Sequence, residues 1–590
     1  MGNLLQDLRF GVRMLLKHPG FTFIAVMTLA LGIGANTAIF SIVNAVLLRQ
    51  LPYPEPSRLV MLWSTMQSQG VSSSGSSLPD YREWRDHNHV FEGLGGYYYG
   101  DFNLSGASRE PERVQGGRVT ANLFQVLGVA PAMGRGFLPE EEKWGRHQVV
   151  MLSYELWQRR YNSDPGIVGR AINLGGEPHT VVGVMPQGMP FFDNQPKTEL
   201  WTPISFPAGD NHDSRNNYFV NLVGRLKPGV TVEQAQADVS SVASRIHETT
   251  GEKLLGGYVV PLREQLVGNV RPMLLVLLGA VAFVLLVACV NVANLLLARA
   301  TARERELAIR ASLGASRRRI IRQLAVESLP LGLMGSVAGL LLAVWGIDLL
   351  ASLLPATLPR HNPITIDLPV LLFTLLISLM TALIFGLLPA FQVAGADVQS
   401  ALNEGGRSGK QGRRQGRLRA VLIASEMALA LVLLIGAGLM IESFFRLRRV
   451  DTGFSAQNVL TMRIALPDSK YPKPKSVEDP APAGLGFYER LLERVKALPG
   501  VEAAGVSTTL PLGAGNSWGK LFSIEGRPLP ASMAQVPVVR FTLASPEYLS
   551  AMRINVLRGR AFNEHDTENS QGVAIISDSI ARKYFQGEDP

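Results

Sequence analysis

The chain has 590 residues, 47% of them apolar, a net charge of +9 and a slightly positive mean hydropathy. That is too apolar for a wholly soluble protein and too polar for membrane helices alone, and the length calls for several domains. One cysteine, Cys289, excludes an internal disulfide and a cysteine zinc site, and the positive balance speaks first about which loops stay in the cytoplasm, before nucleic acid.

The N-terminus, 1–20, sets Leu4, Leu8, Val12, Leu15 and Leu16 on one helical face and Arg9, Arg13 and Lys17 elsewhere. It reads as an amphipathic helix on the membrane lipid, a topology-setting positive end, or both. Five stretches are then apolar enough and long enough to cross a bilayer: 21–48, 272–298, 330–354, 368–393 and 420–445. The first reads as an uncleaved anchor, since its apolar part is longer than a signal's and no small-residue cleavage site is evident before Leu51.

Charge sets the direction. Residues 1–20, the loop 299–328 and the linker 394–419 are basic and belong in the cytoplasm; the short loop 355–367, with Arg360 and Asp367, belongs outside. The long polar regions 49–271 and 446–590 then fall outside as well. The expectation is a multi-pass protein of a bacterial inner membrane with a cytoplasmic N-terminus.

Small residues recur in the spans: Gly32 and Gly34 in the first, Gly335 and Gly339 at GxxxG spacing in the third, Gly436 and Gly438 in the fifth. They let helices approach closely in lipid, within the chain or in a dimer. The polar residues there (Asn36, Asn44, Asn291, Asn294, Glu426) form no acid chain that reads as an ion relay.

The external region 49–271 reads as α+β. Arg58–Ser64 is a strand candidate, Ala171–Met185 a hairpin turning at Gly175-Gly176, and Thr231–Ile246 a helix opened by a Thr231/Gln234 capping box. The later region repeats it. The stretch from Arg118 answers that from Arg540, and the stretch from Val149 answers that from Val573, as far as Pro165 and Pro590. Each copy follows a single span, so the unit is span plus external domain, used twice. The second copy stops where the first continues through the rest of its domain and three more spans. The expectation is an incomplete second copy, and a complete form of eight spans.

The loop 299–328 holds eight arginines and three acids, and reads helix, break, helix, with Gly314 ending one helix and Ser316 capping the next. The glycine- and arginine-rich stretch 403–417 has no apolar period and reads as a flexible linker.

Three features imitate chemistry. Gly513–Leu521 lacks P-loop spacing, with Leu521 where a hydroxyl is needed, and Leu104–Ser108 lacks the second glycine and glutamine of an ATPase signature. Asp210, His212 and Asp213 could meet a cation but read as a polar surface loop. His147 and His179 are isolated in sequence, and no catalytic constellation is visible, so the chain is not read as an enzyme.

At Arg305, Glu306, Ala308, Ile309, Arg310, Leu313, Gly314, Ala315, Ser316, Arg317, Ile320, Gln323 and Glu327 the loop resembles the cytoplasmic loop of FtsX-like permeases of the MacB type. Residues 8–54 resemble the N-terminus of the duplicated branch, the acidobacterial duplicated orphan permeases, and the first external region resembles a MacB-like periplasmic core domain. The resemblance implies an α+β membrane protein whose transmembrane helices carry such domains in a two-fold repeat, the second truncated. It implies boundaries of 49–271 for the first core domain, 272–393 for the FtsX-like permease domain and 446–590 for the second core domain. It also implies a permease subunit of an ABC system with no cofactor of its own, ATP being held by a partner ATPase.

That ATPase would dock on Arg305, Glu306, Ile309, Arg310, Leu313, Gly314, Ala315, Ser316 and Arg317: arginines paired with its acids, Ile309 and Leu313 an apolar anchor, Gly314 the turn. Motion would pass to the periplasmic domains, as mechanotransmission, for export or efflux of cargo or to a periplasmic adaptor. The alternative is a membrane scaffold that signals to a periplasmic enzyme or partner.

Overall fold

The computed structural model describes residues 13, 15–66, 71–106, 109–189, 198–215, 217–250, 256–302, 317–353, 364–394, 411–467, 470–471, 482–512, 518–528, 536–567 and 569–590. The chain divides into a helical unit, mainly Arg263–Arg448 with the residues up to Pro52, and a mixed unit of Tyr53–Phe191, Pro196–Leu262 and Arg449–Pro590.

Helix α1, Pro19–Val43, starts with Pro at its first turn, where the missing N–H costs nothing, and ends in a π-turn over Asn44–Leu48. Strands β1 (Leu59–Met66) and β2 (Val71–Ser74) lead to α2, Leu78–His87, capped by Ser77. The long strands β3 (Phe91–Gly106) and β4 (Arg109–Val119) form a hairpin, followed by the single turn α3, Leu123–Leu127. After β5 (Met133–Gly134), β6 (Val149–Leu152) and α4 (Tyr154–Tyr161) comes the hairpin of β7 (Ala171–Leu174) and β8 (Glu177–Val184). It turns at Gly175 and Gly176, both at positive φ, where the sequence puts it. β9 (Leu200–Pro203), β10 (Asn221–Leu226), α5 (Val232–Thr250) and β11 (Gly256–Pro261) complete the domain. The capping box before α5 is present: Thr231 N–H donates to Gln234 Oε1, and Gln234 N–H to Thr231 Oγ1.

The strands make two cores. β11, β1, β10 and β3 are antiparallel neighbours, and α2 and α5 cover them, with Trp84, Val239 and Leu222 fully buried. β3 then continues into a second body. Its neighbours run β3–β4–β9–β6–β8–β7 and back to β3, a closed ring. Closure leaves no unpaired edge among these strands. Inside it lie Leu104, Val150, Leu152, Val181 and Leu200, with Leu156 of α4 against them.

A short helix α6, Leu262–Val267, leads to α7 (Arg271–Ala302), α8 (Arg317–Leu353), α9 (Leu368–Ala394) and α10 (Gln411–Arg448). Pro330 sits within α8. Four helices among the described residues are long and apolar enough to cross a membrane, and a shorter apolar helix covers Leu368–Ile384. The expected flexible linker 403–417 is corrected in part: α10 already begins at Gln411, inside it.

The second external copy keeps its local elements: α11 (Pro482–Lys496), the hairpin of β12 (Trp518–Leu521) and β13 (Val538–Phe541), α12 (Tyr548–Ala551) and α13 (Asp578–Tyr584). The repeat is visible bond by bond. Arg135 makes a two-pronged pair with Glu141, which accepts from Leu138 N–H; Arg560 makes the same pair with Asp566, which accepts from Asn563 N–H. Ser153 caps α4 as Ser577 caps α13. The repeat also reaches further upstream than the sequence match. Gly96 N–H donates to Thr120 Oγ1 and Val506 N–H to Ser545 Oγ, each at 2.9 Å, so the strand before Gly100 has its counterpart near Val506.

Candidate functional site

The expected coupling residues Arg305, Glu306, Ile309, Arg310, Leu313, Gly314, Ala315 and Ser316 lie outside the described residues, and Arg317 is the first residue of α8. The helices on either side are described. α7 has 32 residues and α8 has 37. At about 1.5 Å per residue they are roughly 48 and 55 Å long, against roughly 30 Å for the hydrocarbon layer. Both helices are long enough to serve as levers.

Both levers bear on α1. Small residues allow it: a Cβ on Gly32 would lie 2.9 Å from Leu285, one on Gly335 would lie 2.7 Å from Leu29, and one on Gly34 would lie 2.8 Å from the Gly339 carbonyl. The glycines of the first and third spans are therefore used inside the chain, whereas among the described residues nothing lies within 4 Å of a Cβ on Gly436 or Gly438. Leu29, Ile33, Leu285, Val292 and Leu331 fill the junction.

A polar seam accompanies the packing. Asn36 donates to the Val281 carbonyl of α7 at 2.7 Å, and the hydroxyls of Thr37 and Thr374 meet at 3.0 Å between α1 and α9. Thr37, Ser41, Thr374 and Ser378 also bond back to the carbonyls four residues earlier, which satisfies their hydroxyls in an apolar surrounding. At the end of α1 the seam becomes ionic. Asn44 donates to both oxygens of Asp367, and Arg49 Nη2 lies 3.0 Å from Asp367 Oδ2. Asp367 also accepts from Val370 N–H and so caps α9. The order Asp-Leu-Pro ahead of an apolar run is an N-cap signature that could have flagged this residue. Arg263, just after β11, donates to the Leu47 carbonyl within the π-turn.

In the mixed unit the chain leaving α1 is gripped again. The buried Arg225 of β10 donates through Nε to the Val126 carbonyl at 2.7 Å and through Nη1 to the Pro54 carbonyl at 3.0 Å. Its burial lowers its pKa, helped by the charge of Arg58. Two arginines far from each other in sequence, Arg225 and Arg263, thus hold the ends of one short connection. A lone arginine in an apolar strand was the signal available for the first.

His147 and His179, isolated in sequence, are neighbours in space, their ring centroids 6.4 Å apart. Trp144 stacks on His147 at 4.3 Å. Burial lowers both imidazole pKa values, and for His147 the charge of His179 adds to it. The Asp210–His212 loop packs its ring on Phe206, and Asp213 pairs with Arg82. Among the described residues no group of three or more His, Cys, Asp or Glu could hold a metal ion.

These features define an α+β membrane protein that combines a helical bundle with a duplicated periplasmic-type domain. The MacB-like periplasmic core domain matches residues 22–242 and again 421–590, and the FtsX-like permease C-terminal domain matches 278–398. The chain belongs to the FtsX/MacB-type permease family, whose members are membrane components of ABC transporters rather than enzymes. Both matches to the core domain start at or just inside a span, which agrees with span plus domain as the repeated unit.

The chain is similar to the Macrolide export ATP-binding/permease protein MacB of Escherichia coli (strain K12), at 27% identity over 285 residues, 48% of this chain and 42% of that protein. The protein of the same name from Shigella flexneri matches to the same extent. The match therefore spans less than half the length of these relatives. Two solved structures share smaller likenesses. The periplasmic region of MacB from Actinobacillus actinomycetemcomitans has 11% identity and a TM-score of 0.28, covering 37% of this chain and 94% of that one. The extracellular domain of the noncanonic ABC-type transporter YknZ from Gram-positive bacteria has 13% identity and a TM-score of 0.26, covering 34% and 99%. At those TM-scores neither adds weight to the argument.

Proposed function

We propose that this chain is the membrane subunit of an ABC-type export system, in which a separate cytoplasmic ATPase pushes on the segment 299–328 and the push is delivered to the external domains. The observation that carries this reading is the packing of both flanking helices, α7 and α8, on α1. α1 is followed in the chain by the external domain; Arg263 bonds the Leu47 carbonyl on one side of the junction and Arg225 the Pro54 carbonyl on the other. A displacement applied between Ala302 and Arg317 has a stiff, close-packed route to α1, because packed interiors transmit strain rather than absorb it. The N-terminus and the basic loops are cytoplasmic in this reading, and the core domains periplasmic. In this reading the first core domain is 49–271, the permease domain 272–393 and the second core domain 446–590.

The test is co-purification of an ATPase with the whole protein under nucleotide-trapping conditions, with and without Gly314→Val. The expected result is capture of an ATPase whose turnover no longer drives export in the variant, while the bundle stays folded. Absence of any ATPase from the trapped complex would count against the reading.

A further inference from the structure

Beside its contact with α1, α8 carries Ala338, Leu341, Leu342, Trp345 and Asp348, residues at helical spacing of three and four. With Met27 of α1 it forms a groove of about 530 Å³ whose walls are almost wholly apolar. That volume lies within the range of small-molecule sites, about 300–1,000 Å³. Its polar feature is at one end. Trp345 is 77% exposed, and Asp348 stands one helical turn beyond it. The apolar span of α8 runs Leu329–Leu350, so Asp348 lies two residues from its end while Ala338 and Leu341 lie in its middle.

This distribution is selective. An acid on the lipid-facing side of a span is costly unless a counter-charge meets it, and no ion pair to Asp348 is present among the described residues. A carboxylate repels anions and gives a neutral apolar molecule nothing beyond the walls. A cation gains both the carboxylate and the indole face, while its apolar body takes the place of acyl chains along Leu341, Ala338 and Met27. Trp345 at the interface accommodates the same polarity step from the other side, with one apolar face and one polar edge.

We propose that the groove between α1 and α8 is a binding site for amphiphilic cations that enter sideways from the lipid, with Asp348 as counter-charge and Trp345 as the aromatic platform. Binding itself does not depend on ATPase coupling; that the bound cation is cargo rests on the export reading. The groove lies on α1 and α8, the two helices joined by the Gly34–Gly339 approach, so a lever movement of α8 would change its width.

Trp345 is the one tryptophan of the apolar spans, the others being 63, 84, 144, 157, 201 and 518. The experiment reconstitutes the full chain in phosphatidylcholine–phosphatidylglycerol nanodiscs and follows Trp345 quenching by three brominated probes. They are an alkyltrimethylammonium, the alcohol of equal chain length, and phosphatidylethanolamine. Trp345→Phe gives the background, and Asp348→Asn tests the counter-charge at unchanged membrane charge. The expected result is half-quenching by the trimethylammonium probe at about fivefold lower membrane concentration in the native chain than in Asp348→Asn, the scale of one exposed cation–π and charge contact. The alcohol should not distinguish the two chains.

Equal quenching of both chains by the cation overturns the site. An Asp348-dependent preference shown by phosphatidylethanolamine and not by the free amphiphile also overturns it, assigning the groove to bilayer lipid. None of these outcomes involves the ATPase, so failure here leaves the coupling reading standing, and failure of ATPase capture leaves the groove standing.

Discussion

Gly34 and Gly339 meet backbone to backbone. A Cβ on Gly34 would sit 2.8 Å from the Gly339 carbonyl oxygen, and one on Gly339 would sit 3.1 Å from the Gly34 nitrogen. Neither neighbour is a flexible side chain, so an added side chain must push the helices apart. Gly34→Val should therefore destabilise the bundle by about 1–3 kcal/mol, the usual cost of overpacking. Thermal unfolding of the full chain in detergent checks this. Gly436→Val is the control, because nothing lies within 4 Å of that position and its midpoint should not move.

Asp367 has two duties, as cap of α9 and as partner of Arg49 and Asn44. Asp367→Ala removes both and should cost about 1–2 kcal/mol, with the cap alone accounting for about 1. Asp367→Asn keeps a capping oxygen and should cost less. Hydrogen exchange at the start of α9 separates the two: protection of Val370 should fall in the alanine variant and largely survive in the asparagine one.

One left-handed backbone position shared by the two external copies carries different residues. Gly128 ends α3 at φ +72, and its counterpart Arg553 ends α12 at φ +53. A side chain in that region costs roughly 1–2 kcal/mol. Arg553→Gly should raise stability by somewhat less than this, since glycine also loosens the unfolded chain. Gly128→Ala should lower it, because the new Cβ would also meet Pro54 at 3.1 Å. Urea unfolding of the full chain, followed by Trp157 for the first copy and Trp518 for the second, assigns each change to its copy.

His147 and His179 predict a pH dependence. Both are held below the ordinary value of 6.5, burial being the larger cause. Below 6.5 the unfolded chain takes up protons that the folded pair refuses, so stability falls with falling pH until the folded imidazoles themselves titrate. The loss should be visible from about pH 6.5 downwards as increased hydrogen exchange in β6 and β8. His179→Gln should flatten that dependence and relieve His147, whose titration midpoint by NMR should move up.

Much of this architecture was legible along the chain. The apolar spans, the hairpin at Gly175-Gly176, the cap at Thr231 and the repeat beginning at Arg118 and Arg540 are local signals, set by periodicity and turn chemistry. The repeat faded upstream because a bond from a backbone N–H to a hydroxyl needs only a Thr or Ser in place. Thr120 and Ser545 preserve the contact while the segments around Gly96 and Val506 share little sequence. The stretch after Lys410 was misread because glycine and arginine have no apolar period, yet α10 extends back through it.

What the sequence determined by itself was the kind of protein: that it has several long apolar helices, that its external domain occurs twice, and that one basic segment lies between two of those helices. Those follow from composition and period, which are written residue by residue. Only the tertiary structure decided which residues meet. It set Gly34 against Gly339, Arg49 on Asp367, His147 beside His179 and Arg225 on the Pro54 carbonyl. Each of these pairs is separated by tens to hundreds of residues, and its bond or close approach depends on helix crossing and strand order, which no local pattern encodes.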